Sequence, residues 1–117
     1  MKNVLIIDDS ALMRRMMKRA IVGSGNAIAG EANNGTTGIE KYKELRPDVV
    51  TMDVTMGDMS GIDALRRIME YDPDAKVIMV SSMGQEVIVR DAIMSGAKGF
   101  IVKPFHNDQI YDAIRKL

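Results

Sequence analysis

Three aspartates stand directly after short apolar runs in this 117-residue chain. Asp8 and Asp9 follow Val4-Leu5-Ile6-Ile7, and Asp53 follows Val49-Val50-Thr51-Met52. A lone aspartate in such a place often only caps a helix or a turn. Three of them, each ending a run suited to a buried strand, point to a cluster of oxygen ligands. Converging carboxylates repel by about 1 kcal/mol or more per close pair. A hard divalent cation removes that cost, and oxygen ligands of this kind suit Mg2+. Two later runs end in complementary groups: Val77–Val80 leads into Ser81-Ser82, and Gly99–Val102 into Lys103-Pro104-Phe105. Acceptor carboxylate, metal site, hydroxyl donor and ammonium form a consistent set for phosphoryl transfer to a carboxylate. The chain has no cysteine, which excludes disulfides, thiolate nucleophiles and zinc–thiolate sites. Its one histidine, His106, has no partner motif and reads as a surface residue.

For these groups to meet, their runs must be strands of one parallel sheet. Five runs qualify: Val4–Ile7, Ala27–Gly30, Val49–Met52, Val77–Val80 and Gly99–Val102. Several are nearly continuous rather than alternating, as in strands covered on both faces. Stretches with helical spacing lie between them. Leu12, Met16 and Ala20, with Met13 and Met17, predict the apolar stripe of the first helix, with Arg14, Arg15, Lys18 and Arg19 facing elsewhere. Ile39, Tyr42 and Leu45 mark a second helix that stops before Pro47; Ile62, Leu65 and Met69 mark a third that stops before Pro73. Val87–Met94 forms a fourth, closed by Gly96, and Ile110, Ala113, Ile114 and Leu117 mark the last. Strands recurring every 22 to 28 residues or roughly so, with a helix between, predict the α/β class. The expected architecture is a five-stranded parallel sheet in a (βα)5 doubly wound three-layer sandwich with right-handed crossovers. Ligands bind such sheets beyond the carboxyl ends of the strands, where strand order reverses. If the first and third strands flank that point, Asp8, Asp9 and Asp53 share one crevice.

Composition is consistent with a single globular domain over residues 1–117, at 46% hydrophobic and 27% charged residues. The 16 basic residues balance the 16 acidic ones, so no global field points to nucleic acid or an acidic membrane. The apolar run after Lys2 is too short for a signal peptide or a membrane span, and the expected location is cytoplasmic. Eleven methionines and no tryptophan are unusual; most of the methionines fall at strand or amphipathic-helix positions, where they are expected to fill the core.

The ordered motifs now match a family. Val4-Leu5-Ile6-Ile7-Asp8-Asp9-Ser10, Asn34-Gly35, Val50-Thr51-Met52-Asp53 with Met56 and Gly61, Ser81-Ser82, Gly96-Ala97 and Lys103-Pro104-Phe105 resemble the receiver domain of two-component response regulators over essentially the whole chain. The tracts Ser82–Gln85 and Gly99–Phe105 look most like the stand-alone chemotaxis regulators, while Asp8–Arg14 is equally similar to the receiver of the chemotaxis methylesterase. The resemblance implies a flavodoxin-like strand order of 2-1-3-4-5. It implies that Asp53 is the phosphoacceptor, supplied by a CheA-like histidine kinase. Asp9 and Asp53 would bind Mg2+ directly, Asp8 largely through water, and the Thr55 backbone carbonyl would complete the protein ligands. Lys103 would pair with the phosphoryl group, and its bond to Pro104 would be cis. Ser81 would be the switch hydroxyl. Phe100 occupies the place of the aromatic switch residue, where a plain core role is equally open. Phosphorylation would bias a surface made by the fourth helix, fifth strand and fifth helix, docking a flagellar motor switch or a phosphatase-type protein. Val87, Ile88, Val89, Ile93 and Met94 give the fourth helix more apolar residues than one buried stripe needs. The domain would act as a monomer and catalyse only its own phosphorylation and dephosphorylation. One departure is Gly57, where the family usually has proline; glycine loosens such a loop by about 0.4–1 kcal/mol. The neighbouring Asp58 is expected to face solvent.

Rival readings fit less well. A receiver excised from a methylesterase or transcription factor remains open from the motifs alone. A haloacid-dehalogenase-type phosphohydrolase places its second acid two residues after the nucleophile, where this chain has Thr55 after Asp53. A receiver-like module without phosphorylation has no reason to keep Asp8, Asp9, Asp53, Ser81 and Lys103 together. A flavodoxin-like cofactor binder would need a phosphate loop and stacking aromatics that are missing.

Overall fold

Strand residues alternate between two apolar layers, and that alternation sets the architecture. The computed structural model describes residues 1–117. Strands β1 (Asn3–Ile7), β2 (Ala27–Ala32), β3 (Val49–Met52), β4 (Val77–Ser81) and β5 (Gly99–Val102) form one parallel sheet. Its order is β2-β1-β3-β4-β5, as the family resemblance implies. Helices α1 (Ala11–Gly23), α2 (Gly35–Leu45), α3 (Gly61–Tyr71), α4 (Glu86–Met94) and α5 (Asn107–Arg115) fill the connections. No helix is long and apolar enough to cross a membrane.

Val4, Ile6, Val49, Ile78, Val80 and Ile101 meet Met17, Ala20 and Ile21 of α1 and Ile110 and Ile114 of α5. On the opposite face Leu5, Ile7, Val50, Met52, Val77 and Met79 meet Tyr42, Ile62, Leu65, Ile68 and Ala92 of α2, α3 and α4. Each buried Val, Leu, Ile or Met among them contributes about 1.5–3 kcal/mol. The continuous apolar runs belong to β1, β3 and β4, which are covered on both faces; the edge strands β2 and β5 are only half-buried. Met17, Met52, Met56 and Met79 are buried, as expected of core methionines.

Helix boundaries follow their local signals. Ser10, Asn34 and Ser60 cap α1, α2 and α3 with side-chain oxygens. Before Pro47 the chain turns through Arg46 at φ 49°, and after α4 it turns through Gly96 at φ 113°. The expected stripe of α1 needs correction. Leu12 and Met16 are 60% and 39% exposed, and the buried face runs through Met17, Ala20 and Ile21. Both sets share the same helical spacing; the fully enclosed Ile21, packed with α5, sets the rotation. Helix α4 is lightly held: Ala92 is its one fully buried residue. Arg66 of α3 clasps it from outside, donating to Asp91 at 2.8 Å and to Ser95 at 3.1 Å.

Candidate functional site

Register brings the aspartates together. Ile7 pairs with Met52, so Asp8 and Asp53 leave the sheet side by side. The ladder continues past both strand ends, with the Asp53 N–H donating to the Ile7 carbonyl and the Asp8 N–H to the Ala32 carbonyl, each at 3.0 Å. Because β2 and β3 lie on opposite sides of β1, this is the point where strand order reverses and a crevice opens. Carboxylate oxygens of Asp8, Asp9 and Asp53 all lie within 4.8 Å of one another. Asp8 and Asp53 are only 6% and 7% exposed, whereas Asp9 faces water. Backbone donors aim the two buried carboxylates: Ser10 N–H reaches Asp8 Oδ1 and Val54 N–H reaches Asp53 Oδ1, both at 2.9 Å.

Lys103 reaches this cluster from beyond β5. Its Nζ is 2.8 Å from Asp8 Oδ2 and 3.4 Å from Asp53 Oδ1. The Lys103 N–H donates to the Ser81 carbonyl at 2.8 Å, and the bond to Pro104 is cis. Burial pushes the Asp53 pKa above the ordinary carboxylate value; Lys103 pulls it back, and the Asp8 and Asp9 charges push it further up. Lys103 is therefore the one cation offsetting two buried acids. Replacing it with methionine is expected to cost about 3 kcal/mol in metal-free buffer, the low end for a broken buried pair because Asp9 keeps one side wet. Urea unfolding with a chelator present checks this, and an unchanged midpoint would show that the pair is stabilising nothing.

Ser81 is 1% exposed at the end of β4, and its hydroxyl oxygen accepts the Met83 N–H at 3.0 Å. Its own proton is left for another acceptor. Thr55 lies on the exposed loop after Asp53, with its hydroxyl 3.2 Å from the Met83 sulfur, so the loops after β3 and β4 touch beside the crevice. Phe100 is half-buried, level with Met79 in the sheet and packed against the cluster under α2, α3 and α4. His106 is exposed and opens α5, its N–H donating to the Gln109 side chain at 2.8 Å.

Two parts of the surroundings carry contacts that the sequence expectation did not include. Arg14 does not face away. Its Nη1 donates to the Asp8 carbonyl and its Nε to Glu31, both at 2.8 Å, and Lys18 also pairs with Glu31. The hydrogen bond from Lys18, followed by that from Arg14, holds the Glu31 carboxyl below its usual value. The available signal was a glutamate inside the otherwise apolar β2. Asp58 is exposed but not simply solvated. Its carboxylate accepts Gly35 N–H at 2.9 Å, Thr36 N–H at 2.8 Å, the Thr36 hydroxyl at 2.7 Å and Met59 N–H at 2.9 Å. The Thr36 hydroxyl and the backbone donors hold its pKa well below the carboxylate range.

The doubly wound sheet thus carries an acid cluster and a lysine at its reversal point. The chain belongs to the response regulator receiver domain family, whose model matches residues 4–115. Its likeness is to chemotaxis proteins in particular. It is 54% identical to the chemotaxis protein CheY of Thermotoga maritima over 99% of this chain and 97% of that protein. To CheY of Bacillus subtilis it is 52% identical, over 97% of this chain and 94% of that protein. Among solved structures, the CheX–CheY–BeF3–Mg2+ complex from Borrelia burgdorferi matches with a TM-score of 0.94 at 39% identity, covering 97% of this chain and 87% of that one. This is a CheY-like receiver domain of a response regulator, a signalling domain.

The cluster suits a small hard cation. All three groups are carboxylates, and two are buried where uncompensated charge is costly. Oxygens on opposite sides of Mg2+ lie about 4.2 Å apart. Oxygens of all three carboxylates within 4.8 Å of one another are close enough to share one such ion.

Proposed function

We propose that this chain is a phosphorylated chemotaxis regulator in which Asp53 accepts a phosphoryl group from a CheA-like histidine kinase in a Mg2+-dependent reaction. The observation carrying this reading is the convergence of Asp53 with Asp8, Asp9 and Lys103 in one crevice. An Asp53 carboxylate oxygen attacks phosphorus, the bond from phosphorus to the donor nitrogen breaks, and its electron pair leaves with the imidazole. Asp9 and Asp53 would hold Mg2+ directly, with Asp8 through water and the Thr55 carbonyl completing the set. The cation would neutralise charge on the transferring oxygens. Lys103, already within reach of both buried acids, would pair with a phosphoryl oxygen. Ser81, whose hydroxyl proton is free of its bond from Met83, would donate to another. The Borrelia relative, solved with BeF3 and Mg2+, supports the choice of ion.

Phosphorylation adds about two negative charges and new acceptor oxygens. Drawing Ser81 and Lys103 toward them would shift the loops after β4 and β5, with Phe100 repacking behind. The exposed apolar side chains Val87, Ile93 and Met94 of α4, Val102 of β5 and Tyr111 of α5 support an output surface on that side. A flagellar motor switch or phosphatase-type protein would dock there. The chain would act as a single receiver domain over residues 1–117, monomeric and cytoplasmic, altering no substrate but itself. Incubation with acetyl phosphate and Mg2+ tests the reading. One labile phosphoryl mass on the peptide containing Asp53, lost when the metal is chelated beforehand, is the expected result; label elsewhere sinks it.

A further inference from the structure

We infer that Asp58 is a positioning residue for the cation site, pinning the loop between β3 and α3 to the first turn of α2 so that the Thr55 carbonyl is held beside Asp53. This deepens the metal-dependent reading above and rests on it. The loop is restrained at both ends. Val54 N–H is fixed on Asp53 Oδ1, and the Val54 carbonyl accepts the Gly61 N–H at 2.6 Å. Between them the Met56 side chain is buried in the core and the Thr55 hydroxyl lies 3.2 Å from the Met83 sulfur, but the residue after Met56 brings no side chain to hold the backbone. Gly57 makes no hydrogen bond through its N–H, and the space where a Cβ would stand is empty within 4 Å. Position 57 therefore contributes no rigidity, and the next anchor along the chain is Asp58.

That anchor is stronger than a helix cap requires. Helix α2 already has its own cap, since the Asn34 side chain accepts the Thr37 N–H at 2.8 Å. Asp58 adds a charged acceptor from a different loop, taking both the Gly35 and Thr36 N–H groups and the Thr36 hydroxyl. Charge-assisted bonds to helix N-terminal donors are among the stronger hydrogen bonds available at a surface. Met59 seals the same junction. A Cβ on Gly35 would fall 2.5 Å from Met59 Cγ, so the Met59 side chain lies directly against the helix start. The loop is thus tied to α2 three residues past Thr55, and slack at Gly57 is taken up from that side.

The test compares Asp58→Ala with Asn34→Ala, which weakens the same helix end but leaves the loop's own anchor intact. Mg2+ binding is read by titration calorimetry with no phosphodonor, and loop opening by amide hydrogen exchange. Asp58→Ala is expected to weaken Mg2+ binding about tenfold, the size seen when a group supporting metal ligands is lost. It should also speed exchange across residues 55–59. Asn34→Ala should lower the melting temperature without moving Mg2+ affinity. Adding Gly57→Pro should restore most of the affinity lost in Asp58→Ala while raising that of the unmodified chain only about twofold, a non-additive pair. Equal Mg2+ affinities for Asp58→Ala and Asn34→Ala, with no faster loop exchange, would reduce Asp58 to a helix cap and overturn the inference. Failure of the unmodified chain to bind Mg2+ would overturn the metal reading itself.

Discussion

Asp53→Asn is expected to take up no phosphoryl group while folding at least as stably as the unmodified chain in metal-free buffer. Asparagine keeps the shape and the Oδ1 that accepts the Val54 N–H at 2.9 Å. Its new amide donors face the Asp8 and Asp9 carboxylates, which lie within 4.8 Å of the Asp53 carboxylate. What it lacks is the anionic oxygen that attacks phosphorus, so labelling should fall to background rather than to a fraction. The stability gain follows from the direction of the Asp53 shift. Burial and the neighbouring acids outweigh Lys103 and favour the neutral carboxyl in the folded state. A group raised in this way stabilises the fold below its unfolded value, 3.8, and that contribution is lost as pH climbs through the raised folded value. The advantage of Asp53→Asn should therefore be absent in acid, appear above pH 3.8 and level off once pH exceeds the raised folded value, on the order of 1 kcal/mol for one relieved carboxylate contact. Lys103 keeps its 2.8 Å pair with Asp8, so no buried cation is stranded. Urea unfolding across pH, together with mass measurement after acetyl phosphate, reads both effects. Persistent labelling would move the acceptor role to another carboxylate.

Gly61→Ala should be the most destabilising single-methyl change in the chain. A Cβ at residue 61 would sit 1.8 Å from the Asp53 carbonyl oxygen and 3.0 Å from Val54 Cα. Both obstacles are backbone, so no rotamer change relieves them. Either α3 retreats or the end of β3 moves, by more than an ångström in either case. Retreat of α3 strains the 2.6 Å bond from Gly61 N–H to the Val54 carbonyl and opens the packing of Ile62, Leu65 and Ile68, all buried on the sheet. Movement of β3 displaces Asp53 from Asp8 and Lys103. A loss of about 4 kcal/mol or more is expected, in the range reserved for strain and disrupted cores. Calorimetric melting gives the stability, and residual phosphorylation below the melting transition separates the two relaxations. Near-normal labelling means that α3 yielded; weak labelling in a still folded domain means that β3 did. A melting temperature close to that of the unmodified chain would contradict the close approach altogether.

The ends of β1, β3, β4 and β5 were legible because an apolar run there gives way to a polar group, and chemistry at those ends follows from sheet topology. That is why Asp8, Asp9, Asp53, Ser81 and Lys103 could be placed at one edge before any coordinates. Strand β2 instead runs on past Gly30 through Glu31 to Ala32. Helix stops at Pro47, Pro73 and Gly96 were legible for local reasons: backbone that cannot continue, or a left-handed turn. The rotation of α1 was not, because Leu12 and Met13 begin two equally spaced apolar series and only packing against α5 distinguishes them. Cross-loop polar bonds carry no periodic signal at all. Arg14 finds Glu31 across 17 residues and Asp58 finds Thr36 across 22, each through a contact that exists only once the sheet has formed.

The light attachment of α4 has a consequence for signalling range. A helix held by one fully buried alanine, the half-buried Ile88 and an exposed arginine clasp is only lightly docked. Reversing a two-state population from 99:1 to 1:99 takes about 5.5 kcal/mol. Two or three charge-assisted bonds to a new phosphoryl group, at about 1.5–3 kcal/mol each, provide energy of that size. Had α4 been anchored by several leucines, the same modification would have left its population almost unchanged. In the proposed switch, weak docking of this one helix would set the gain, and the tightly packed β1, β3 and β4 would supply the fixed reference against which it moves.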